Sequence, residues 1–534
     1  MFLNSRGPFE VYGKITKDTF FVDKSMLLAE LIPAFGKANC YVCITRPRRF
    51  GKTVVANMVG AFFGKACGEE RIFDGLAVSR EVFYETYLNQ YDVIYIDFSR
   101  LPKDCKSYGQ YIDRIESGLV EDLVKKYPDC GIEAGNFSCG DVLQKVYEQT
   151  GDRFVFVMDE WDAVFHMPFI SGDSQQEYLL FLKGLLKDQP YVEFAYMTGV
   201  LPIAKYSSGS ELNMFVEYDM ATSRKFSEYF GFLDTEVDRL YERYERVTTG
   251  SGITRRDLRL WYDGYYAATG ERLYNPRSVV LALTDNQLRN YWTSSGPYDE
   301  LFYYIRNNIA DVRDDLALMV AGEKVVSEIG RFTAASRELT SREQIYSAMV
   351  VYGLLTYENG MVLIPNKELM DKFNELLLSK DSLGYVYRLA KKSEQMLQAT
   401  LAGDTRTMEE ILQFAHDTEA PILAYNREAD LSAVVNLCYL SARNQYRVER
   451  EERAGKGFVD FIFYPERKES DCILLELKVD STPREAIAQI KEKQYGLRFQ
   501  GRTGEDAGYT GRILAVGISY NRKTKEHSCL VEEL

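Results

Sequence analysis

Four short runs of apolar residues between about residue 38 and residue 200 constrain the fold more than any other feature of the chain. They are Tyr41–Thr45, Val93–Asp97, Phe154–Met158 and Phe194–Met197. Each is apolar at consecutive rather than alternate positions, so both faces of the strand must be covered. Amphipathic segments long enough for crossover helices separate them. That alternation predicts an α/β domain built on a parallel sheet.

The pattern then changes. From about residue 225 to 390 the chain is mostly helical, with helices expected over Glu228–Tyr244 and Arg277–Tyr291. A helix opening at Arg342 leads into Leu354–Glu358, then Asn359-Gly360, then Met361–Ile364. An Asn-Gly pair between two apolar runs is a strong hairpin signal. Helix plus hairpin fits a winged-helix element and a plain helical lid equally well. After a helical connector comes a last stretch in the order αββαβ: helix Asp430–Arg443, strands Phe458–Tyr464 and Cys472–Val479, helix Pro483–Tyr495, strand Ile513–Ser519. The expected division is 1–225, 226–390, 391–425 and 426–534. It sits within the three or four domains expected at roughly 150 residues each.

Composition excludes several classes. Among 534 residues, 65 Lys and Arg face 79 Asp and Glu, a net charge of −14, so the protein does not coat nucleic acid by bulk electrostatics. Residues 426–534 carry 18 of each sign, so the whole excess lies upstream and a local nucleic-acid site remains open. Three scattered histidines, His166, His416 and His527, make a His-based zinc centre a poor fit. Nine irregularly spaced cysteines do not form a disulfide framework, and Cys40-x-x-Cys43 sits in an apolar strand. These features, with no secretory leader and no run of about 18 apolar residues, predict a cytoplasmic protein with no membrane partner.

The first apolar run leads into Thr45-Arg-Pro-Arg-Arg-Phe-Gly51-Lys52-Thr53 and then into a segment of helical period. Strand, loop, Gly-Lys-Thr and helix is the context of a phosphate-binding loop. Backbone amides at the helix start would hold phosphate oxygens, Lys52 would neutralise them, and the Thr53 hydroxyl would reach Mg²⁺. Arg46 stands where the standard motif has its first glycine, and by pattern alone the run also fits a structural turn. The third run ends in Asp159-Glu160. Asp159 suits Mg²⁺, and Glu160 suits polarising the attacking water. Thr198, at the end of the fourth run, fits a γ-phosphate sensor or a strand-terminal turn. Arg46, Arg48, Arg49 and Arg256 fit phosphate contacts or surface ion pairs.

Phe21-Val-Asp-Lys24, Arg46-Pro-Arg-Arg-Phe-Gly-Lys-Thr53, Asp159-Glu-Trp-Asp162 and Thr198-Gly-Val200 together resemble the bacterial AAA-ATPase-like family. The resemblance continues through Trp261-Tyr-Asp-Gly-Tyr265, Tyr274-Asn-Pro276 and Asn290-Tyr-Trp292. It implies an AAA-like P-loop NTPase domain that uses ATP. The cofactor-binding set is then Arg48, Arg49, Phe50, Gly51, Lys52, Thr53, Asp159 and Thr198. Members of the family usually carry a PD-(D/E)XK nuclease domain at the C-terminus.

Asp460 lies in Phe458-Val-Asp-Phe-Ile-Phe463, and Glu476 and Lys478 lie in Ile473-Leu-Leu-Glu-Leu-Lys478. The two-residue period of a strand puts Glu476 and Lys478 on one face. If the two strands pair antiparallel, Asp460 stands beside Glu476. Carboxylates that close repel unless a cation lies between them, and oxygen ligands suit Mg²⁺ or Mn²⁺. A strand-end acid and a solvated Glu–Lys pair are the plainer alternatives. The arrangement is that of PD-(D/E)XK, and the resemblance predicts it at this place, in a restriction-endonuclease-like αββαβ domain. Asp460, Glu476 and the Leu477 carbonyl would bind metal, and Lys478 would position the water. The resemblance adds Glu428 as an acid completing the site, and Gln489 and Tyr495 on the following helix.

The expected catalytic groups are therefore Lys52, Glu160 and Lys478, with ATP and Mg²⁺ as cofactors. Nucleic acid is the expected partner, with DNA ahead of RNA, and an oligomer is left open. The expected function is an ATPase that gates or positions a metal-dependent nuclease. The alternative is a nucleotide switch or scaffold whose C-terminal domain binds nucleic acid or protein without cutting.

Overall fold

The computed structural model describes residues 2–65, 70–132, 138–203, 211–248, 252–292, 309–320, 322–329, 339, 341–379, 385–417, 428–454, 457–499 and 508–534. The chain forms two compact units, residues 1–301 with 326–369, and residues 302–325 with 370–534.

The first unit begins with helix α1 (Gly7–Ile15) and then alternates strands and helices. These are β1 (Tyr41–Thr45), α2 (Lys52–Phe63), β2 (Asp92–Asp97), α3 (Tyr108–Lys126), α4 (Cys139–Thr150), β3 (Phe154–Asp159), α5 (Gly172–Leu186), β4 (Val192–Gly199) and β5 (Val216–Tyr218). The sheet order is β2-β3-β4-β1-β5, and every neighbouring pair is parallel. All six residues of β3 are buried, as a strand covered on both faces requires. Cys40 and Cys43 are buried at β1, where desolvation raises both thiols and suppresses thiolate chemistry.

The helical segment that follows differs in its boundaries from the expectation. Phe226 turns the chain with φ of 65°, Ser227–Tyr229 is a short 3₁₀ turn, and Phe232–Leu233 pairs as a strand. Helix α6 therefore starts only at Asp234 and runs to Val247, with the Glu236 carboxylate accepting the Leu233 amide at 2.8 Å. Helix α7 spans Arg255–Tyr262. Helix α8 spans Pro276–Asp285, capped by the Asn275 side chain and ended by Asn286 at φ 51°. The expected hairpin forms after α9 (Arg342–Tyr352), with β6 (Thr356–Glu358) antiparallel to β7 (Met361–Leu363). Asn359 at φ 48° and Gly360 at φ 83° supply the two positive dihedrals that a tight hairpin turn needs.

In the second unit, α10 (Tyr385–Ala402) and α11 (Thr405–Asp417) pack with the sheet domain that follows them. Thr400 Oγ1 lies 2.6 Å from the Tyr439 hydroxyl, and Glu409 accepts the Cys529 amide at 2.8 Å. The remaining elements are α12 (Glu428–Cys438), β8 (Tyr446–Ala454), β9 (Gly457–Pro465), β10 (Cys472–Val479), α13 (Pro483–Glu492), β11 (Ile513–Asn521) and β12 (Glu526–Glu533). The sheet order is β8-β9-β10-β11-β12, with only β10 and β11 parallel among these pairs. The expected αββαβ core is present, flanked by two further strands, β8 and β12. Both are edge strands rich in Glu, Arg and His, a composition that discourages edge-to-edge pairing and hides the strand period from a hydrophobic pattern. Among the described residues, no helix is long and apolar enough to cross a membrane.

Candidate functional site

The first site forms where β1 meets α2. Gly51 caps the helix at φ 87°, and Arg49 also has a positive φ, 71°. A Cβ at Gly51 would meet open space, so the dihedral alone selects glycine there. Lys52 is 3% exposed, and its ammonium donates to the Pro47 carbonyl at 3.2 Å, back across the loop. The Thr53 hydroxyl faces the Asp159 carboxylate and favours its ionised form. Burial, then the neighbouring Glu160, pushes the Asp159 carboxyl up to about 7, against the pull of Thr53 and Lys52. Glu160 follows in the left-handed conformation at φ 52°.

A cavity of about 530 Å³ opens from this loop, a size suited to a small-molecule cofactor. Arg49, Phe50, Gly51, Lys52, Thr53 and Glu160 line its polar end. Tyr12, Phe20, Phe21, Val22, Phe232 and Val280 supply the apolar end of its lining. Most of this apolar end escaped the sequence reading. Its one visible signal was the string Phe21-Val-Asp-Lys24. There, Asp23 accepts the amides of Ser25 and Ala77 at 2.8 and 2.7 Å, and Lys24 pairs with Glu236 at 2.6 Å.

Other expected residues stand elsewhere. Arg46 is fully buried. It donates to the carbonyls of Thr45 (2.8 Å) and Tyr218 (2.7 Å) and lies 4.9 Å over the Phe230 ring. Burial lowers its pKa to about 10, so it stays charged at neutral pH. It fastens β5 and the 226–230 segment to the loop root and does not face phosphate. Arg49 donates to the Tyr291 carbonyl, and the Phe50 ring packs edge-on against Tyr265 at 4.9 Å, so Phe50 offers the cavity its backbone. Arg48 is half-buried and, like Thr198, lies outside the cavity wall. The Thr198 hydroxyl donates to the Ile44 carbonyl at 3.0 Å, so its proton is engaged in the sheet. Asp162 accepts the amides of Val200 and Leu201 at 3.2 and 2.9 Å, closing the end of β4. Asp97, which was not singled out, stands beside Asp159 in register on the adjacent strand. It accepts from the Ser99 amide and hydroxyl at 3.0 and 2.6 Å, and its only signal was an acid closing the second apolar run.

The second site lies at one end of the C-terminal sheet. Phe461 faces Leu475 in antiparallel register, which brings Asp460 and Glu476 together at the next positions. Asp460 Oδ2 accepts the Leu477 amide at 2.7 Å, so Leu477 meets Asp460 through its N–H. Lys478 Nζ lies 3.1 Å from Glu476 Oε1, which also accepts from Gln489 Nε2. The same Gln489 nitrogen is 3.5 Å from the Tyr495 hydroxyl. Gly517, paired with Glu476, lets α13 approach, because a Cβ there would clash with the Pro483 carbonyl. That approach delivers Gln489. Glu476 is 3% exposed, and burial, then Asp460, pushes its carboxyl up to about 7, with Lys478 opposing.

The second Glu476 oxygen, Oε2, is buried with no hydrogen-bond partner. Two adjoining carboxylates with one orphaned buried oxygen fit a hard divalent cation. Among the described residues, no group of three or more His, Cys, Asp or Glu could hold a metal. Glu428 opens α12, and its side chain lies outside the described residues. Glu449 pairs with Arg447 at 3.1 Å and stands opposite Ile462 on β9.

Residues 10–208 match the model of a predicted AAA-ATPase family, and residues 427–527 match that of the PD-(D/E)XK nuclease superfamily. An uncharacterized protein encoded in the vnfD 5′ region of Azotobacter chroococcum mcd 1 is 23% identical over 560 residues, spanning 97% of this chain and 96% of that protein. Among solved structures, the Walker-type ATPase PABY2304 of Pyrococcus abyssi is similar at 11% identity and a TM-score of 0.35, over 66% of this chain and 94% of that one. The ORC2 protein of Aeropyrum pernix is similar at 12% identity and a TM-score of 0.30, over 67% of this chain and 93% of that one. The chain thus joins a domain of the predicted AAA-ATPase family to a domain of the PD-(D/E)XK nuclease superfamily.

Proposed function

We infer that the protein binds and hydrolyses ATP in its first unit, cleaves nucleic-acid phosphodiester bonds with Mg²⁺ or Mn²⁺ in its second, and uses the first reaction to gate or position the second. DNA is the preferred substrate over RNA. The observation that carries the nuclease reading is the buried, unpartnered Glu476 Oε2, beside Asp460 and within a hydrogen bond's reach of Lys478.

In the first unit the loop amides and Lys52 would hold the phosphates, Thr53 and Asp159 would hold Mg²⁺, and Glu160 would take the proton of the attacking water. In the second, Asp460 and Glu476 would hold the metal, while Gln489 keeps the Glu476 carboxylate oriented. Lys478 would steer water toward the phosphorus. A bound divalent ion supplies Lewis-acid polarisation of the phosphate and a lowered pKa for its water.

The test is a cleavage assay on single- and double-stranded DNA and RNA with Mg²⁺ or Mn²⁺, with and without ATP. Cleavage that persists in Lys478→Ala sinks the nuclease reading, and ATP turnover undiminished in Lys52→Ala sinks the ATPase reading. A protein that binds nucleic acid but takes up no metal would instead be a switch or scaffold that binds without cutting.

A further inference from the structure

The metal-site end of the second unit's sheet carries a basic hairpin tip. Strand β11 runs parallel to β10, with Ser519 beside Lys478 and Tyr520 beside Val479. It turns back into β12 through Arg522-Lys-Thr-Lys525, closed by the pair Asn521 and Glu526. The turn is built rigidly. The Asn521 side chain accepts the amides of Lys523 and Thr524 at 2.9 and 3.2 Å, and its carbonyl accepts the Lys525 amide at 2.8 Å.

Arg522 ties this tip to the strand that carries Glu476 and Lys478. Its backbone amide and its Nε donate to Asp480 at 2.9 and 2.6 Å, two residues beyond Lys478. The arginine charge is thereby neutralised. Lys523 and Lys525 are exposed and make no ion pair among the described residues, although the Lys523 charge also helps to hold Asp480 ionised. Lys525 holds its place at φ 64°, a conformation that glycine would adopt at less cost. Of the other acids at this end, Glu485 accepts the hydroxyls of Ser481 and Thr482 and keeps its charge, so Glu485 and Glu526 both remain near the two lysines. At about 3.3 Å per residue the paired strand carries the turn roughly 7 Å past Ser519, about two nucleotides of B-form rise.

We propose that Lys523 and Lys525 form a phosphate-backbone clamp that holds a nucleic-acid strand in register with the Asp460–Glu476–Lys478 site. This rests on the nucleic-acid reading above and adds where the strand is gripped. The domain's balanced net charge makes a local grip of this kind necessary, because no bulk attraction holds the substrate.

The test uses the full chain and a fluorescein-labelled duplex or single-stranded DNA of about 20 nucleotides, in EDTA to stop cleavage. Affinity is read by anisotropy at several salt concentrations. Each lost phosphate contact should flatten the slope of log affinity against log salt by about 0.9 on duplex and 0.7 on single strands. The K523A/K525A variant should therefore lose about 1.8 of slope on duplex and bind at least tenfold more weakly at low salt. The K523R/K525R variant, which keeps the charge, should retain the wild-type slope. A wild-type slope in K523A/K525A overturns the clamp and leaves the nuclease reading standing. Failure of the wild-type protein to bind any oligonucleotide in EDTA, or binding of heparin alone, overturns the clamp, and failure to cleave any nucleic acid with Mg²⁺ or Mn²⁺ overturns the nuclease reading.

Discussion

The guanidinium of Arg46 lies over the ring of Phe230, 4.9 Å from its centre, in the place where the standard phosphate-loop motif carries glycine. Restoring the motif should therefore damage the protein. Arg46→Gly removes donors from the carbonyls of Thr45 and Tyr218 and leaves a cavity at the loop root. A loss of about 2–4 kcal/mol is expected from orphaned buried acceptors and lost packing. Urea denaturation would read it, and a variant as stable as wild type would mean that Arg46 is not the fastener described.

Lys52 behaves differently. Its ammonium is buried, yet its one hydrogen bond among the described residues, to Pro47, is long at 3.2 Å. Lys52→Ala should fold and lose roughly 10- to 100-fold in ATP affinity, the worth of a charge-assisted contact. Thermal-shift titration with MgATP would show this as a diminished rise in melting temperature.

Glu368 predicts a pH dependence. Its carboxylate accepts the amides of Tyr291 and Trp292, each at 2.7 Å, and the Ser278 hydroxyl at 3.0 Å. Burial still outweighs these contacts and pushes the carboxyl up to about 7. The folded state thus binds the proton more tightly than the unfolded state. The group's contribution is fully present below the unfolded value near 4.5 and is lost as pH rises through about 7, by up to about 3 kcal/mol. Glu368→Gln keeps an acceptor for the two amides without the charge. Its urea midpoint should change less between pH 5 and 8 than that of wild type; an unchanged profile would exclude Glu368 as the source.

Gly517→Ala tests the approach of α13 to the sheet. The added methyl would collide with the Pro483 carbonyl, which is backbone and has little room to yield. A destabilisation of about 1–3 kcal/mol is expected. Displacing the helix should also release Gln489 from Glu476 and weaken metal binding. Calorimetric Mn²⁺ titration of Gly517→Ala and Gln489→Ala should show the same direction of change in both.

Much of the fold was legible because burial on both faces leaves consecutive apolar residues. The four strands β1 to β4 of the first sheet fall where the runs place them. The turn at Asn359-Gly360 was legible because few residues accept two positive dihedrals in succession. The edge strands Tyr446–Ala454 and Glu526–Glu533 were not, since one side of each lacks a covering neighbour and their charges mask the alternation. The start of the helix expected at Glu228 was misjudged because a turn at Phe226 and a short strand pairing, both set by distant partners, displaced it to Asp234.

The sequence by itself determined which chemistry each strand end carries: Lys52 and Thr53 after the first strand, Asp159 and Glu160 after the third, and the alternation that puts Glu476 and Lys478 on one face. These are local consequences of strand period and helix start. Tertiary structure decided what those groups meet. The order β2-β3-β4-β1-β5 puts Asp97 beside Asp159, and the same packing turns Arg46 inward to carbonyls on other segments. A glycine opposite Glu476 admits the helix that brings Gln489. Such contacts join residues far apart in the chain, and only the free energy of close packing selects them.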